Sequence, residues 1–215
     1  LLSKRVDAVI LAGSHYVEAR QKDNAYLIEA SKELPIMLVN GCLDGKQIYS
    51  TVCDDHAAMY GAAAQLLQAG RKRILYLYTS YSYSGVNKLE GYKDALKAYG
   101  MEPCDELIRQ CPKDISAAKE LLLSLHGQGL EFDAVMTSDD SLAVGTVKYA
   151  HASGISIPDE LNIIGYNNSI LSRCTDPEIT SIDSKVEALC TTTINTLMGV
   201  FSGVNVPSRT TIASD

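Results

Sequence analysis

Two stretches of this 215-residue chain gather side chains suited to gripping a small polar molecule. Ser138-Asp139-Asp140 brings a hydroxyl and two carboxylates. Asn167-Asn168 brings two amides. A carboxylate accepts hydrogen bonds from several hydroxyls, while an amide both donates and accepts. Together they suit a polyol or sugar held by charge-assisted hydrogen bonds. A catalytic set is missing: there is no G-x-S-x-G, no P-loop, no complete G-x-G-x-x-G after a strand, and no nucleophile–base pair. The sequence therefore gives no expectation of an enzyme or of a bound cofactor. His15, His56, His126 and His151 lie far apart and away from the cysteines, so no metal site is expected either.

Residues 130–168 position these groups. Ala134-Val135-Met136 reads as a short apolar strand. Asp139 and Asp140 close it and open a helix with Leu142, Ala143, Val147 and Ala150 on its apolar positions. Gly154 stops that helix, with Pro158 beyond. Leu161, Ile163 and Ile164 form the next strand, ending at Tyr166-Asn167-Asn168. Strand, helix and strand in about 30 residues make a right-handed βαβ unit with parallel strands. Ligands of such sheets bind outside the carboxyl ends of the strands, where these acids and amides fall. Each also has a plainer reading. Asp139 or Asp140 serves as a helix N-cap, and Asn167 and Asn168 accommodate left-handed backbone.

The rest of the chain repeats the same α/β rhythm. Val6–Leu11 reads as a buried strand ending at Ser14-His15, residues 22–33 as a helix, and Pro35–Val39 as a buried strand ending at Asn40. Tyr49–Val52 adds an edge strand. A helix over His56–Ala69 leads through a solvated Arg71-Lys72-Arg73 turn to a strand at Ile74–Tyr78. Thr79–Gly85, with Tyr81 and Tyr83, reads as a polar crossing loop. Helices over 86–99 and Ile115–Leu125 flank a weak strand at Leu107–Gln110. A second polar crossing at Ser172–Pro177 precedes a helix over 184–201 and a last strand at Arg209–Ile212. This pattern predicts two doubly wound parallel-sheet lobes joined by crossovers, with a ligand cleft between them. One lobe takes residues 1–80 and 178–203, the other 81–177 and 204–215. The first lobe is short of strands, so the sequence reads as a fragment.

Composition narrows the class. Hydrophobic residues make up 46%, enough for packed cores, and the net charge of −7 argues against a nucleic-acid surface on this segment. No run of about 18 apolar residues points to a membrane. Leu1-Leu2-Ser3-Lys4-Arg5 leads straight into a strand and does not read as a signal peptide. The six cysteines, Cys42, Cys53, Cys104, Cys111, Cys174 and Cys190, are scattered and read as reduced, mostly buried thiols of a cytoplasmic protein.

An ordered set of motifs resembles the effector-binding region of LacI/GalR-type bacterial transcription regulators, which shares its fold with periplasmic sugar-binding proteins. The set comprises Val6–Leu11, Leu34-Pro35-Ile36-Met37-Leu38-Val39-Asn40, Lys88-Leu89-Glu90-Gly91-Tyr92-Lys93-Asp94-Ala95-Leu96, Ser138–Gly145, Ile157-Pro158-Asp159-Glu160-Leu161, Ile164-Gly165-Tyr166-Asn167-Asn168 and Thr175-Asp176-Pro177-Glu178-Ile179-Thr180. The resemblance covers nearly the whole chain. It implies a sugar-like effector, a homodimer, and operator DNA bound through a helix-turn-helix headpiece upstream of Leu1. It also implies ligand contacts at Asp140, Asn167 and Lys88. The strand ends add Asn40 and Ser14, and the crossing adds Tyr81 and Tyr83, whose rings suit stacking on a sugar. Three positions depart from the family pattern: Lys88 stands where Arg is usual, Asn167 where Asp is frequent, and Asp139 where Asn is frequent. The competing expectation is an exported sugar-binding protein of an ABC transporter, which needs the same ligand groups.

Overall fold

A computed structural model of the chain describes residues 6–18 and 20–215, apart from the side chains of His15 and Gln21. The expected course of Leu1–Arg5 and the role of the His15 side chain lie outside the described residues. The chain forms two compact units. One holds the residues up to Asp54, then Tyr81–Asn87 and Lys185–Ser214. The other holds Asp55–Ser80, Lys88–Ser184 and Asp215.

In the second unit, short apolar runs pair as parallel strands. These are β4 (Ile74–Tyr78), β5 (Ile108–Gln110), β6 (Ala134–Thr137), β7 (Asn162–Tyr166) and β8 (Thr180–Ile182), in the order β5-β4-β6-β7-β8. Alternation along each strand divides the side chains between two cores. Leu75, Leu77, Val135 and Ile163 face α4 (Ile115–Gly127) and α5 (Asp140–Ser153). Ile74, Tyr76, Tyr78, Ala134, Met136, Ile164 and Tyr166 pack with α2 (Asp55–Gln68) and the Lys88-onward part of α3 (Tyr83–Ala98). The central strands are therefore buried on both faces, as continuous apolar runs in a parallel sheet require. Between α4 and α5 the helices touch closely. A Cβ added at Gly145 would lie 2.6 Å from the Ala118 Cβ and 2.6 Å from the Ile115 carbonyl oxygen.

The first unit carries β1 (Val9–Ala12), β2 (Ile36–Val39), β3 (Ile48–Cys53) and β9 (Arg209–Ile212), all parallel in the order β1-β2-β3-β9. Ile36, Leu38 and Ile48 pack with Leu27 of α1 (Ala25–Ala30). On the opposite face, Val39 and Cys53 pack with Leu189 of α6 (Val186–Phe201).

The expected α/β architecture of two parallel sheets is present, but its parts are shared out differently. Strand pairing decides membership. β4 bonds to β5 and β6, so residues 55–80 belong with the second unit rather than the first. β9 bonds to β3 and β8 to β7, which moves residues 204–214 to the first unit and 178–184 to the second. β3 is no edge strand, because β2 and β9 flank it. β1 is only half-buried, with Ile10 43% exposed, since among the described residues it has one neighbouring strand.

Local chemistry accounts for other differences. The Asn24 amide donates to the Glu18 and Arg20 carbonyls and accepts from the Glu18 N–H, which favours a tight turn and delays α1 until Ala25. The Ser82 hydroxyl accepts from the Gly85 N–H, so a helix begins at Tyr83 inside the expected crossing loop. Arg71 is not merely solvated. Its guanidinium donates to the Asn162 side chain and to the Pro158 and Asp159 carbonyls, tying the start of β4 to the segment before β7. The cysteines are free thiols, yet three of them, Cys104, Cys174 and Cys190, are exposed rather than buried. Among the described residues, no helix is long and apolar enough to cross a membrane.

Two glycine substitutions are expected to move stability in opposite directions. Gly145→Ala forces α4 and α5 apart and costs about 1–3 kcal/mol. Gly61→Ala meets nothing within 4 Å on α2 and adds about 0.5–1 kcal/mol from helix propensity. Urea denaturation of the two variants checks both signs.

Candidate functional site

The carboxyl ends of β6 and β7 hold a connected cluster of polar side chains. Asp139 has extended backbone, with φ −160° and ψ 143°, and caps α5. Its Oδ1 accepts from the Ser141 N–H at 3.0 Å and the Ser141 hydroxyl at 2.6 Å. Its Oδ2 accepts from Lys113 Nζ at 2.7 Å and from Asn167 Nδ2 at 3.1 Å. The side chain is 11% exposed. Burial acts to raise its pKa, but the hydrogen bonds from Lys113 and Ser141 and the charge of Lys113 outweigh it. The carboxyl is held below its ordinary value.

Asp140, one residue later, turns the other way. Its Oδ1 accepts from the Ser181 hydroxyl at 2.6 Å and its Oδ2 from the Ser169 N–H at 2.7 Å. It is 1% exposed and packs against β7, where a Cβ on Gly165 would fall 2.3 Å from its Oδ1. The residue expected to contact ligand thus braces β7, β8 and the following turn. The capping role belongs to Asp139.

Asn167 and Asn168 adopt positive φ, 101° and 45°, so the left-handed backbone expected at this strand end is present. The Asn167 N–H bonds to the Ile182 carbonyl, which leaves its side chain to reach Asp139. Asn168 is fixed through its N–H to the Ser181 hydroxyl.

Lys88 lies beside this cluster but is buried. Its Nζ sits 3.5 Å from the centroid of the Tyr166 ring, 3.3 Å from the Ser138 carbonyl oxygen and 4.0 Å from Asp55 Oδ1. The Tyr166 hydroxyl donates to the same Asp55 oxygen. A cation over an aromatic face, with a carboxylate close by, offsets the cost of burying its charge.

The other sequence candidates belong to the first unit. Asn40 ends β2 with φ 59°. Its N–H bonds to the Thr51 carbonyl, while its buried Oδ1 has no hydrogen-bond partner among the described residues. Ser14 begins a short 3-10 turn after β1. Tyr81 is 53% exposed. The Tyr83 hydroxyl accepts from Arg209 at 2.7 Å. Asp55, Lys113, Ser169 and Ser181 were not among the sequence candidates. Asp54 and Asp55 had the look of helix caps, and the pairing of Asp55 with Tyr166 spans 111 positions. Lys113 carried no signal beyond its place before the Asp114 cap of α4. Among the described residues, no group of three His, Cys, Asp or Glu side chains could hold a metal ion.

The model of the periplasmic binding protein-like domain family matches residues 63–214. An HTH-type transcriptional regulator of Lachnoclostridium phytofermentans is 54% identical over 215 residues, which is 100% of this chain and 65% of that protein. The regulator GalR of Escherichia coli is 28% identical over 200 residues, covering 92% of this chain and 58% of that protein. The chain thus spans less than two thirds of either relative. The crystal structure of the Escherichia coli transcriptional repressor ascG superposes with a TM-score of 0.82 at 26% identity, covering 100% of this chain and 77% of that one.

Asp140→Ala strands the Ser181 hydroxyl and the Ser169 N–H and is expected to cost about 1–3 kcal/mol, read from the urea midpoint. Asp139 makes a contribution that depends on pH. Its folded pKa lies below the unfolded value of about 3.9, so its contribution is present above that value and is lost as pH falls through the lowered folded one. Urea midpoints followed down from about pH 5 to 2 therefore fall more steeply for the wild type than for Asp139→Asn.

Proposed function

Because the chain belongs to the periplasmic binding protein-like domain family, we propose that it is the effector-binding part of a LacI-type transcription regulator. The effector is a small, hydroxyl-rich molecule of the sugar class. It is recognised at the carboxyl ends of β6 and β7 by Asp139 and Asn167, with Lys88 behind them. On the first unit the candidate contacts are Ser14, Asn40, Tyr81 and Tyr83. Operator DNA is bound by a headpiece outside these 215 residues, and the regulator works as a cytoplasmic homodimer. Effector binding alters DNA affinity only by as much as it prefers one conformation of the regulator over another.

One observation carries this reading: on adjacent strand ends a carboxylate accepts hydrogen bonds from both a neighbouring amide and an exposed lysine, in a chain whose full length is similar to a transcriptional regulator. Relatives named as transcriptional regulators, rather than transport proteins, favour it over an exported receptor.

Calorimetry of the protein against a panel of neutral, acidic and amino sugars tests the reading. At least one sugar binds, and Asn167→Ala weakens it about tenfold, the loss of one or two hydrogen bonds to a polar ligand. A panel that gives no heat with the wild type would overturn the sugar class. Equal binding by both proteins would remove Asn167 from the site.

A further inference from the structure

The carboxylate of Asp139 is fully subscribed. It has about four acceptor positions, and four donors fill them: the Ser141 N–H and hydroxyl on Oδ1, and the Asn167 amide and Lys113 ammonium on Oδ2. A neutral polyol meets no vacant acceptor here. It must displace a donor before it can bind Asp139.

The four donors are not equally displaceable. Ser141 is buried in the first turn of α5, and Asn167 is fixed by its backbone bond to Ile182. Lys113 comes from the short turn between β5 and α4, and its side chain is 61% exposed. An exposed lysine loses little by letting go, because its ammonium returns to water and its stem regains rotamer freedom. Asp139 loses more. At 11% exposure it would keep a mostly buried negative charge with no cation on it. Its neighbour Asp140 adds a second negative charge, and the hydroxyl and N–H that neutralise Asp140 locally carry no net charge. A ligand hydroxyl in place of Lys113 restores a hydrogen bond but not the charge. A protonated amine restores both.

We propose that Lys113 stands in for the ligand's own ammonium group, so that the molecule this site takes is a hydroxyl-rich compound bearing a protonated amine, of the amino-sugar type. The inference rests on the sugar-class reading above and narrows it. Lys113 is then a built-in competitor: it protects Asp139 in the empty protein and swings out to solvent when the ligand's amine arrives. The local geometry fits this role. The carboxylate on the β6 end lies within reach of the turn after β5, and the amide on the β7 end orients it.

The test compares glucosamine and galactosamine with their N-acetylated forms and with glucose and galactose, by calorimetry near neutral pH. Wild type and Lys113→Met are measured side by side. The amine forms bind the wild type at least about tenfold more tightly than the acetylated or parent sugars. Lys113→Met widens that preference by binding the amines more tightly still. Neutral sugars binding the wild type as well as the amines would overturn the proposal. So would amines binding Lys113→Met more weakly than the wild type, which would make Lys113 a ligand contact. A second measurement needs no ligand: the Asp139 carboxyl carbon is titrated by NMR in both proteins. Its pKa rises in Lys113→Met; an unchanged value means the ion pair does not hold in solution, and the inference falls alone. Silence of every sugar with a shifted Asp139 titration would instead defeat the sugar-class reading.

Discussion

One turn of backbone separates two neighbouring carboxylates and gives them different work. Asp139 is still extended, at φ −160° and ψ 143°, while Asp140 is the first residue of α5. The change from strand to helix sends their side chains in opposite directions. Asp140 goes inward against Gly165, where the missing Cβ leaves room for its Oδ1, and ties the Ser169 N–H and the Ser181 hydroxyl to the end of the sheet. Asp139 keeps to the other side and gathers Ser141, Asn167 and Lys113. The β6–β7 register holds both arrangements, because it sets how near Asn167 comes to the carboxylate.

Charge is balanced in two compartments at this end of the sheet. The inner one is Lys88 over Tyr166 with Asp55 beside it. Its members come from α3, β7 and the start of α2, so it joins three elements whose contacts are distant in sequence. The outer one is Asp139 with Lys113. The inner cation is sealed among partners, whereas the outer one faces solvent. In the outer pair the cation can leave for solvent, whereas the inner cation has no such exit, and that difference suits the inner cluster to scaffolding and the outer one to the recognition proposed for it.

The elements were largely legible because their signals are local. The apolar run Ile74–Tyr78 reads as a strand, which the fold buries on both faces, and Gly154 reads as the stop of α5, which it forms in left-handed backbone at φ 69°. What escaped was mostly pairing. Nothing around Thr210 says that it lies beside Thr51, so local pattern alone does not reveal which unit the last strand joins. The site was half-legible for the same reason. Strand ends bearing acids and amides point to a polar ligand. Which of Asp139 and Asp140 faces outward depends on Gly165, Ser169 and Ser181, all beyond the helix that follows. The lysine that completes Asp139 comes from a turn with no periodicity to announce it.

A crystal structure of the protein with its effector bound tests the central claim most directly, since that claim concerns which oxygen atoms meet the ligand. The expected result is ligand density within hydrogen-bond distance of Asp139 Oδ2 and the Asn167 side chain, with Asp140 still bonded to Ser169 and Ser181. Ligand seated away from the β6 and β7 ends, or Asp140 released from β7 to hold it, would contradict the division of labour between the two carboxylates.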